Sequence, residues 1–210
     1  MKYKVMIVED QTMPRELFEL RIQSSEHFET ALSIDNASLA EVYCLRFPVD
    51  LILMDVVTRN GENGLDAAAK IKRAFPQIKI IIVTSMPEYS YLSRAREIGV
   101  ESFWYKEEQR ESLLDVMERT MAGESVYPDA TPELQLGLVS SYEFTERELE
   151  VLREMTGGDT NQEIADRLHI SVATVKSHIL NMLEKTGFRN RTELAVRARE
   201  SGLVILNRKN

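Results

Sequence analysis

Cysteine is almost missing from this 210-residue sequence, where Cys44 stands alone. No internal disulfide can form, which suits a reducing, intracellular compartment. Long apolar runs are missing too. No stretch approaches the roughly 20 residues that a membrane-spanning helix needs. The start, Met1-Lys2-Tyr3-Lys4, leads straight into a strand pattern with no signal-peptide core. The expected location is therefore cytoplasmic, with no membrane partner. Positive charge is in deficit: 26 Lys and Arg face 34 Asp and Glu, for a net charge of −8. That balance excludes an indiscriminate coat for nucleic acid. Internal repeats and low-complexity tracts are absent, and a hydrophobic fraction of 43% is enough to build cores rather than a disordered chain.

The average charge conceals a local reversal. Between residues 169 and 199, Lys176, Lys185, Arg189, Arg191, Arg197 and Arg199 face only Glu184 and Glu193. Such a patch is an electrostatic footprint for a polyanion or an ordinary solvated helix face.

The first 122 residues alternate between two periods. Strand-like runs fall near 3–8, 29–34, 50–54, 78–83 and 101–105. Helical periodicity fills roughly 12–24, 37–46, 64–74, 88–98 and 108–122. Five βα repeats predict an α/β doubly wound, five-stranded parallel sheet, with functional groups at the C-terminal strand ends. Pro14 suits a first helical turn and Gly99 a helix C-terminus. From 123 to 141, Gly123, Pro128, Pro132, Gly137, Ser140 and Ser141 break every period, so this stretch reads as a linker, with Glu133–Val139 open to a short helix. Residues 142–210 read as all-α, with helices at Glu146–Met155, Asn161–Leu168, Val172–Thr186 and Thr192–Ser201. Thr145 and Glu148 form a capping-box pattern, Ser171 caps the third helix and Gly187 stops it.

Leu51-Ile52-Leu53-Met54 is wholly apolar, as a strand buried on both faces would be, and Asp55 ends it with a carboxylate. Alone, Asp55 reads as a turn cap or as part of a site. Three other strand ends favour the site: Glu9-Asp10 follow the first strand, Thr84 closes the fourth and Lys106 follows the fifth. Clustered carboxylates repel unless a cation neutralises them, and their oxygens suit Mg²⁺. With that charge balanced, Asp55 is an oxygen nucleophile for phosphorus. Lys106 is then placed to neutralise the transferring group, and the Thr84 hydroxyl to touch its oxygens.

These residues resemble the receiver domain of bacterial two-component response regulators over essentially all of 1–122. The spacings of 29 residues from Asp55 to Thr84 and 22 from Thr84 to Lys106 fit that family, as does Phe103, three residues before the lysine. The resemblance implies a flavodoxin-like receiver fold and phosphotransfer from a cognate sensor histidine kinase to Asp55. It implies Mg²⁺ held by the Glu9-Asp10 pair, Asp55 and the Val57 backbone carbonyl. Thr84 and Phe103 would be switch residues that move when the phosphoryl group arrives. As residues alone, Phe103 reads equally as a core aromatic and Thr84 as a hydroxyl bonded to its own backbone. Two features depart from the family. The segment Val56-Val57-Thr58-Arg59-Asn60-Gly61-Glu62-Asn63-Gly64 lacks the usual Met-Pro and puts its glycine nine residues past the acceptor, not eight. Val57 and Met86, two residues beyond Asp55 and Thr84, orient water poorly, which predicts a long-lived phosphorylated state.

In the second domain, two predicted helices meet at His169-Ile170 with helix-turn-helix spacing. Ile164, Ala165, Leu168, Ile170, Val175, Ile179, Met182 and Leu183 supply an apolar seam, leaving Thr174, Lys176, Ser177, His178 and Asn181 on outer faces. Phe144–Leu152, Asn161–Ala165, Thr174–His178 and Arg189–Glu193 together resemble the LuxR-type DNA-binding domain over 142–205. A receiver followed by this domain is the NarL/FixJ type of regulator. The resemblance implies that Lys176, Ser177 and Leu180 face base edges while Thr160, Asn161, Thr174, Asn190 and Arg191 approach phosphates. Leu180 stands where a polar residue is common and either touches a thymine methyl or packs inward.

The expected function is a response regulator, not an enzyme. Phosphorylation of Asp55 would control dimerisation and sequence-specific binding to double-stranded DNA, and so the transcription machinery. A phosphatase-like hydrolase would need a water-activating group beside Asp55, and none adjoins it. A constitutive DNA-binding regulator whose receiver serves only to dimerise remains the alternative.

Overall fold

The computed structural model describes residues 2–59, 62–88, 90–106 and 112–204. Two compact units emerge, one from Met1–Ser85 with Ser90–Ala130, the other centred on Thr131–Asn210. Among the described residues, no helix is long and apolar enough to cross a membrane.

In the first unit the order is β1 (Tyr3–Val8), α1 (Thr12–Gln23), β2 (Phe28–Ile34), a 3₁₀ turn (Ala37–Leu39), α2 (Ala40–Cys44) and β3 (Leu51–Met54). There follow β4 (Val57–Thr58), β5 (Glu62–Asn63), α3 (Gly64–Ala74), β6 (Lys79–Thr84), α4 (Tyr91–Ile98), β7 (Ser102–Tyr105) and α5 (Leu113–Met121). The main sheet runs β2-β1-β3-β6-β7, and all its pairs are parallel. The expected five-stranded doubly wound sheet is present. Strand residues alternate between two cores. Val5, Ile7, Leu51, Leu53, Ile81, Val83 and Trp104 pack with Phe18, Ile22, Leu113, Val116 and Met117 from α1 and α5. Their neighbours Met6, Val8, Ile52, Met54, Ile80 and Ile82 point the other way and are equally buried.

Strand order reverses between β1 and β3, and the crevice of a doubly wound sheet opens at such a reversal. Register pairs Val8 with Met54, so Glu9 and Asp55 leave the sheet side by side. The Asp55 N–H donates to the Val8 carbonyl at 2.9 Å.

Three local expectations are revised. The helix expected over 37–46 is a 3₁₀ turn capped by Asn36, whose side chain accepts from the Ser38 N–H, followed by a five-residue α2. It stops short because Phe47 precedes Pro48, and a residue before proline avoids the helical region. Residues 57–63, expected as plain loop, pair as a two-stranded antiparallel ribbon, with Asn60 and Gly61 outside the described residues. The fifth helix, expected over 108–122, is described from Leu113, with Ser112 as its N-cap; residues 108–111 lie outside the described set.

The stretch 123–141 is structured in both its parts. The Phe103 N–H donates to the Val126 carbonyl at 2.8 Å, the Val126 N–H to Ser102 Oγ at 3.1 Å, and the Tyr127 hydroxyl to the Val100 carbonyl at 2.8 Å. Val126 joins the core under α1 and α5. In the second unit, Glu133–Val139 is not a helix. β8 (Gln135–Leu136) and β9 (Val139–Ser140) form a hairpin through Gly137-Leu138, and Gly137 adopts φ 64°, which glycine supplies at little cost.

The four helices of this unit are α6 (Glu146–Thr156), α7 (Asn161–Leu168), α8 (Val172–Thr186) and α9 (Arg191–Glu200). Thr145 and Glu148 form the expected capping box, Thr160 and Glu163 a second, and Ser171 and Asn190 cap α8 and α9. Each cap satisfies N–H groups that the helix leaves open. His169, at φ 53°, is the one described non-glycine residue with positive φ, and it turns the corner between α7 and α8. Leu136, Phe144, Leu149, Leu152, Met155, Ile164, Val175, Met182 and Leu194 share one core. The hairpin closes on α8, with the Leu138 N–H donating to the Thr186 carbonyl at 3.0 Å.

Candidate functional site

At the C-terminal edge of the sheet, Glu9 and Asp55 are 0% and 4% exposed. Lys106 Nζ bridges them, 2.5 Å from Glu9 Oε2 and 2.8 Å from Asp55 Oδ2. The other Asp55 oxygen, Oδ1, accepts from the Val56 N–H at 2.7 Å. The Gln11 N–H holds Glu9 Oε1 at 3.0 Å, and the Arg15 guanidinium donates to the Glu9 carbonyl at 3.0 Å. Asp10 lies on the solvent side. One oxygen from each of Glu9, Asp10 and Asp55 falls within 4.8 Å of the others.

Burial is the main cause that pushes the Asp55 carboxyl up to about 6, with the Glu9 charge adding to it and Lys106 opposing. Burial works against the Lys106 ammonium, yet Asp55 and Glu9 outweigh it and its pKa is raised. A buried nucleophile held in position, one ammonium and an all-oxygen cluster can accept a phosphoryl group. The hard oxygen donors also fit a divalent cation such as Mg²⁺.

The loop after Asp55 runs very close to it. The Gly64 N–H donates to the Val56 carbonyl at 2.8 Å, and a Cβ on Gly64 would stand 1.9 Å from the Asp55 carbonyl oxygen. Thr58 is 2% exposed; its hydroxyl accepts from the Ala37 N–H at 3.0 Å and donates to the Glu62 carbonyl at 3.1 Å. Arg59, which stands at the expected proline, pairs with Asp35 at 2.6 Å.

Thr84 is fully buried at the end of β6, and its carbonyl accepts from the Lys106 N–H at 2.9 Å, which brings the fourth and fifth strand ends together. Phe103 is 2% exposed, with Tyr105 and Tyr127 at ring distances of 5.0 and 6.2 Å. The Arg96 guanidinium lies 4.7 Å from the centre of the Tyr127 ring. Reading the sequence overlooked Tyr127 and Thr58. The signal for Tyr127 was an apolar pair, Val126-Tyr127, inside an otherwise polar stretch; Thr58 gave none, since the turn it holds, at Ala37, lies 21 residues away.

In the second unit, Lys176, Ser177, Leu180, Asn181 and Glu184 form an exposed stripe along α8. Leu180 is 56% exposed, so of its two readings the inward one does not hold. Thr174 and His178 are half-buried, and Thr174 Oγ1 is bonded to Ser171 Oγ at 2.8 Å. The Arg191 guanidinium donates to Asn161 Oδ1 at 3.0 Å and to the Asp159 carbonyl at 2.7 Å, drawing the N-termini of α7 and α9 together. The Thr160 and Asn190 side chains are used as caps, so these positions offer helix N-termini and N–H groups rather than free side chains.

Residues 5–118 match the family described as response regulator receiver domain, and residues 143–198 match bacterial regulatory proteins of the luxR family. The chain is a response regulator of the NarL/FixJ type. The regulator is 32% identical over 209 residues to the response regulator protein VraR of Staphylococcus epidermidis, across 97% of its own length and 100% of that protein's. VraR of Staphylococcus aureus is 32% identical over 217 residues, with the same coverage. Among solved structures, the two-component response regulator RcsB in complex with DNA superposes with TM-score 0.64 at 19% identity, covering 95% of the regulator and 98% of that chain. RcsB from Salmonella enterica serovar Typhimurium, bound to a promoter in the presence of a phosphomimetic, gives 0.62 at 20% identity, covering 96% and 99%. At those identities the likeness shows the fold.

Proposed function

We propose that a sensor histidine kinase phosphorylates Asp55 and that this event controls dimerisation and sequence-specific DNA binding, so regulating transcription. The observation that carries the reading is Asp55 itself, buried at the sheet's crevice between Lys106 and the Glu9–Asp10 carboxylates. An Asp55 oxygen attacks phosphorus, the P–N bond to the kinase's phosphohistidine breaks, and its electron pair stays on the imidazole nitrogen, which takes up a proton. The Lys106 ammonium, now paired with both carboxylates, turns to the new phosphoryl oxygens, and the Thr84 hydroxyl donates to one of them. Glu9, Asp10, Asp55 and the Val57 carbonyl would hold Mg²⁺, which when bound supplies positive charge against the phosphoryl oxygens. Thr84 and Phe103 then carry the change to the α4–β7 face.

α8 enters the major groove. Lys176 reads guanine acceptors, Ser177 bonds to either base edge and Leu180 meets a thymine methyl. Thr160, Asn161, Thr174, Asn190 and Arg191 fix register on phosphates. The exposed α8 stripe and the paired Asn161–Arg191 support this assignment.

The test is labelling by acetyl phosphate or beryllofluoride, with wild type compared with Asp55→Ala, followed by DNA selection from a random pool in each state. Label confined to wild type, with tighter and two-fold symmetric DNA selection, is the expected result. Equal DNA binding by both proteins, labelled or not, would sink the proposed control by phosphorylation.

A further inference from the structure

We propose that Thr58 is a positioning residue for the metal at the acceptor site. Its buried hydroxyl clamps the loop after Asp55 to the β2–α2 turn and so fixes the segment that presents the Val57 carbonyl. The inference rests on the reading of Asp55 and Val57 given above.

A threonine buried to 2% exposure is tolerable only where its hydroxyl is bonded. Here the hydroxyl is used in both directions. It accepts from the Ala37 N–H, which opens the 3₁₀ turn and has no partner within that turn, and it donates to the Glu62 carbonyl across the β4–β5 ribbon. One side chain thus ties three chain segments: the β2–α2 turn, β4 and β5.

Arg59 adds an outer tie, its N–H to the Asp35 carbonyl at 3.2 Å and its guanidinium to the Asp35 carboxylate. That pair is largely exposed and contributes little rigidity. On the other flank, the Gly64 N–H holds the Val56 carbonyl, and Asn63 Oδ1 caps α3 by accepting from Leu65 and Asp66. Val57 sits between these anchors and is paired with Asn63.

A proline in this loop would lock φ through its ring. With arginine there instead, the loop's rigidity comes from hydrogen bonds, and Thr58 makes the buried one that reaches the β2–α2 turn. A carbonyl ligand binds well only when its neighbours hold it in place, and loss of such a support commonly lowers metal affinity 10- to 100-fold.

The experiment titrates full-length protein with Mn²⁺, counting the free ion by its electron paramagnetic resonance signal. Thr58→Val keeps the shape and removes the hydroxyl; Thr58→Ser keeps the hydroxyl. Fluorescence of Trp104, the single tryptophan, checks that the receiver unit is folded, and Thr58→Ala replaces the valine variant if that one is not. The expected result is Mn²⁺ affinity lower by about tenfold in Thr58→Val and near wild type in Thr58→Ser. Wild-type affinity in a folded Thr58→Val protein overturns the clamp while leaving the acceptor reading intact. Mn²⁺ affinity in Asp10→Asn equal to that of wild type overturns the metal site assigned beside Asp55, and the clamp with it.

Discussion

Gly64→Ala puts a methyl where the chain leaves no room. Its Cβ would lie 1.9 Å from the Asp55 carbonyl oxygen, 2.9 Å from the Asp55 carbonyl carbon and 3.0 Å from Met54 Cγ. A carbon–oxygen contact needs about 3.3 Å, so the helix start must retreat by roughly 1.4 Å. That movement breaks the Gly64–Val56 hydrogen bond. Two effects oppose each other. Alanine favours a helix over glycine by about 1 kcal/mol. Overpacking costs roughly 1–3 kcal/mol, occasionally more, and the lost backbone bond about 1 kcal/mol. Steric cost wins, for a net destabilisation of roughly 1–3 kcal/mol. Urea unfolding followed by Trp104 fluorescence reads the receiver unit alone, because no other tryptophan exists. With m near the middle of its usual range, about 2 kcal/mol/M, the midpoint falls by roughly 0.5–1.5 M. Acetyl-phosphate labelling of Asp55 falls as well, since the displaced backbone carries the acceptor. An unchanged or raised midpoint would show that helix propensity decides and that the close approach is soft.

Three further outcomes are expected. Burial raises the folded Asp55 carboxyl to about 6 against an ordinary 3.8, so the folded state binds the extra proton between those values and loses stability as pH rises through them; without added metal, Asp55→Asn should gain roughly 2 kcal/mol on wild type between pH 4 and pH 7 in paired urea titrations, and a pH-independent difference would contradict the assignment. Leu136→Ala, in a stretch that reads as linker, should destabilise the second unit by roughly 2–4 kcal/mol by circular dichroism, since the side chain is 2% exposed in its core; a neutral result would place the hairpin outside the fold. The aspartyl phosphate should outlast minutes, because Val57 and Met86 carry no group to orient water, and loss of label within seconds would refute that reasoning.

The parallel sheet was legible because its strands are short apolar runs whose chemistry falls at one end: Glu9-Asp10, Asp55, Thr84 and Lys106 needed only the βα order to converge. The helix boundaries of the second unit were legible for a similar reason, since Thr145, Ser171 and Gly187 act within one turn of themselves. What escaped were the distant contacts that no strand-end pattern announces. Thr58 reads as a loop polar residue until Ala37 is beside it. Leu136 and Val126 read as stray hydrophobics until the cores that take them exist. Glycine at 137 broke a helical period, yet only its contact with the end of α8 shows why a hairpin forms there. A Cβ at that position would stand 2.2 Å from the Thr186 carbonyl oxygen.

The segment laid along β7 has a consequence for association. An outer strand of a sheet offers unpaired N–H and carbonyl groups to any extended chain that arrives. Here the chain's own continuation has taken that place, with the Val126 carbonyl on the Phe103 N–H and the Val126 N–H on Ser102. Strand addition next to Phe103 therefore requires Val126 to be peeled away first. An extended chain that would lengthen the sheet on this side has to displace the protein's own backbone at Val126.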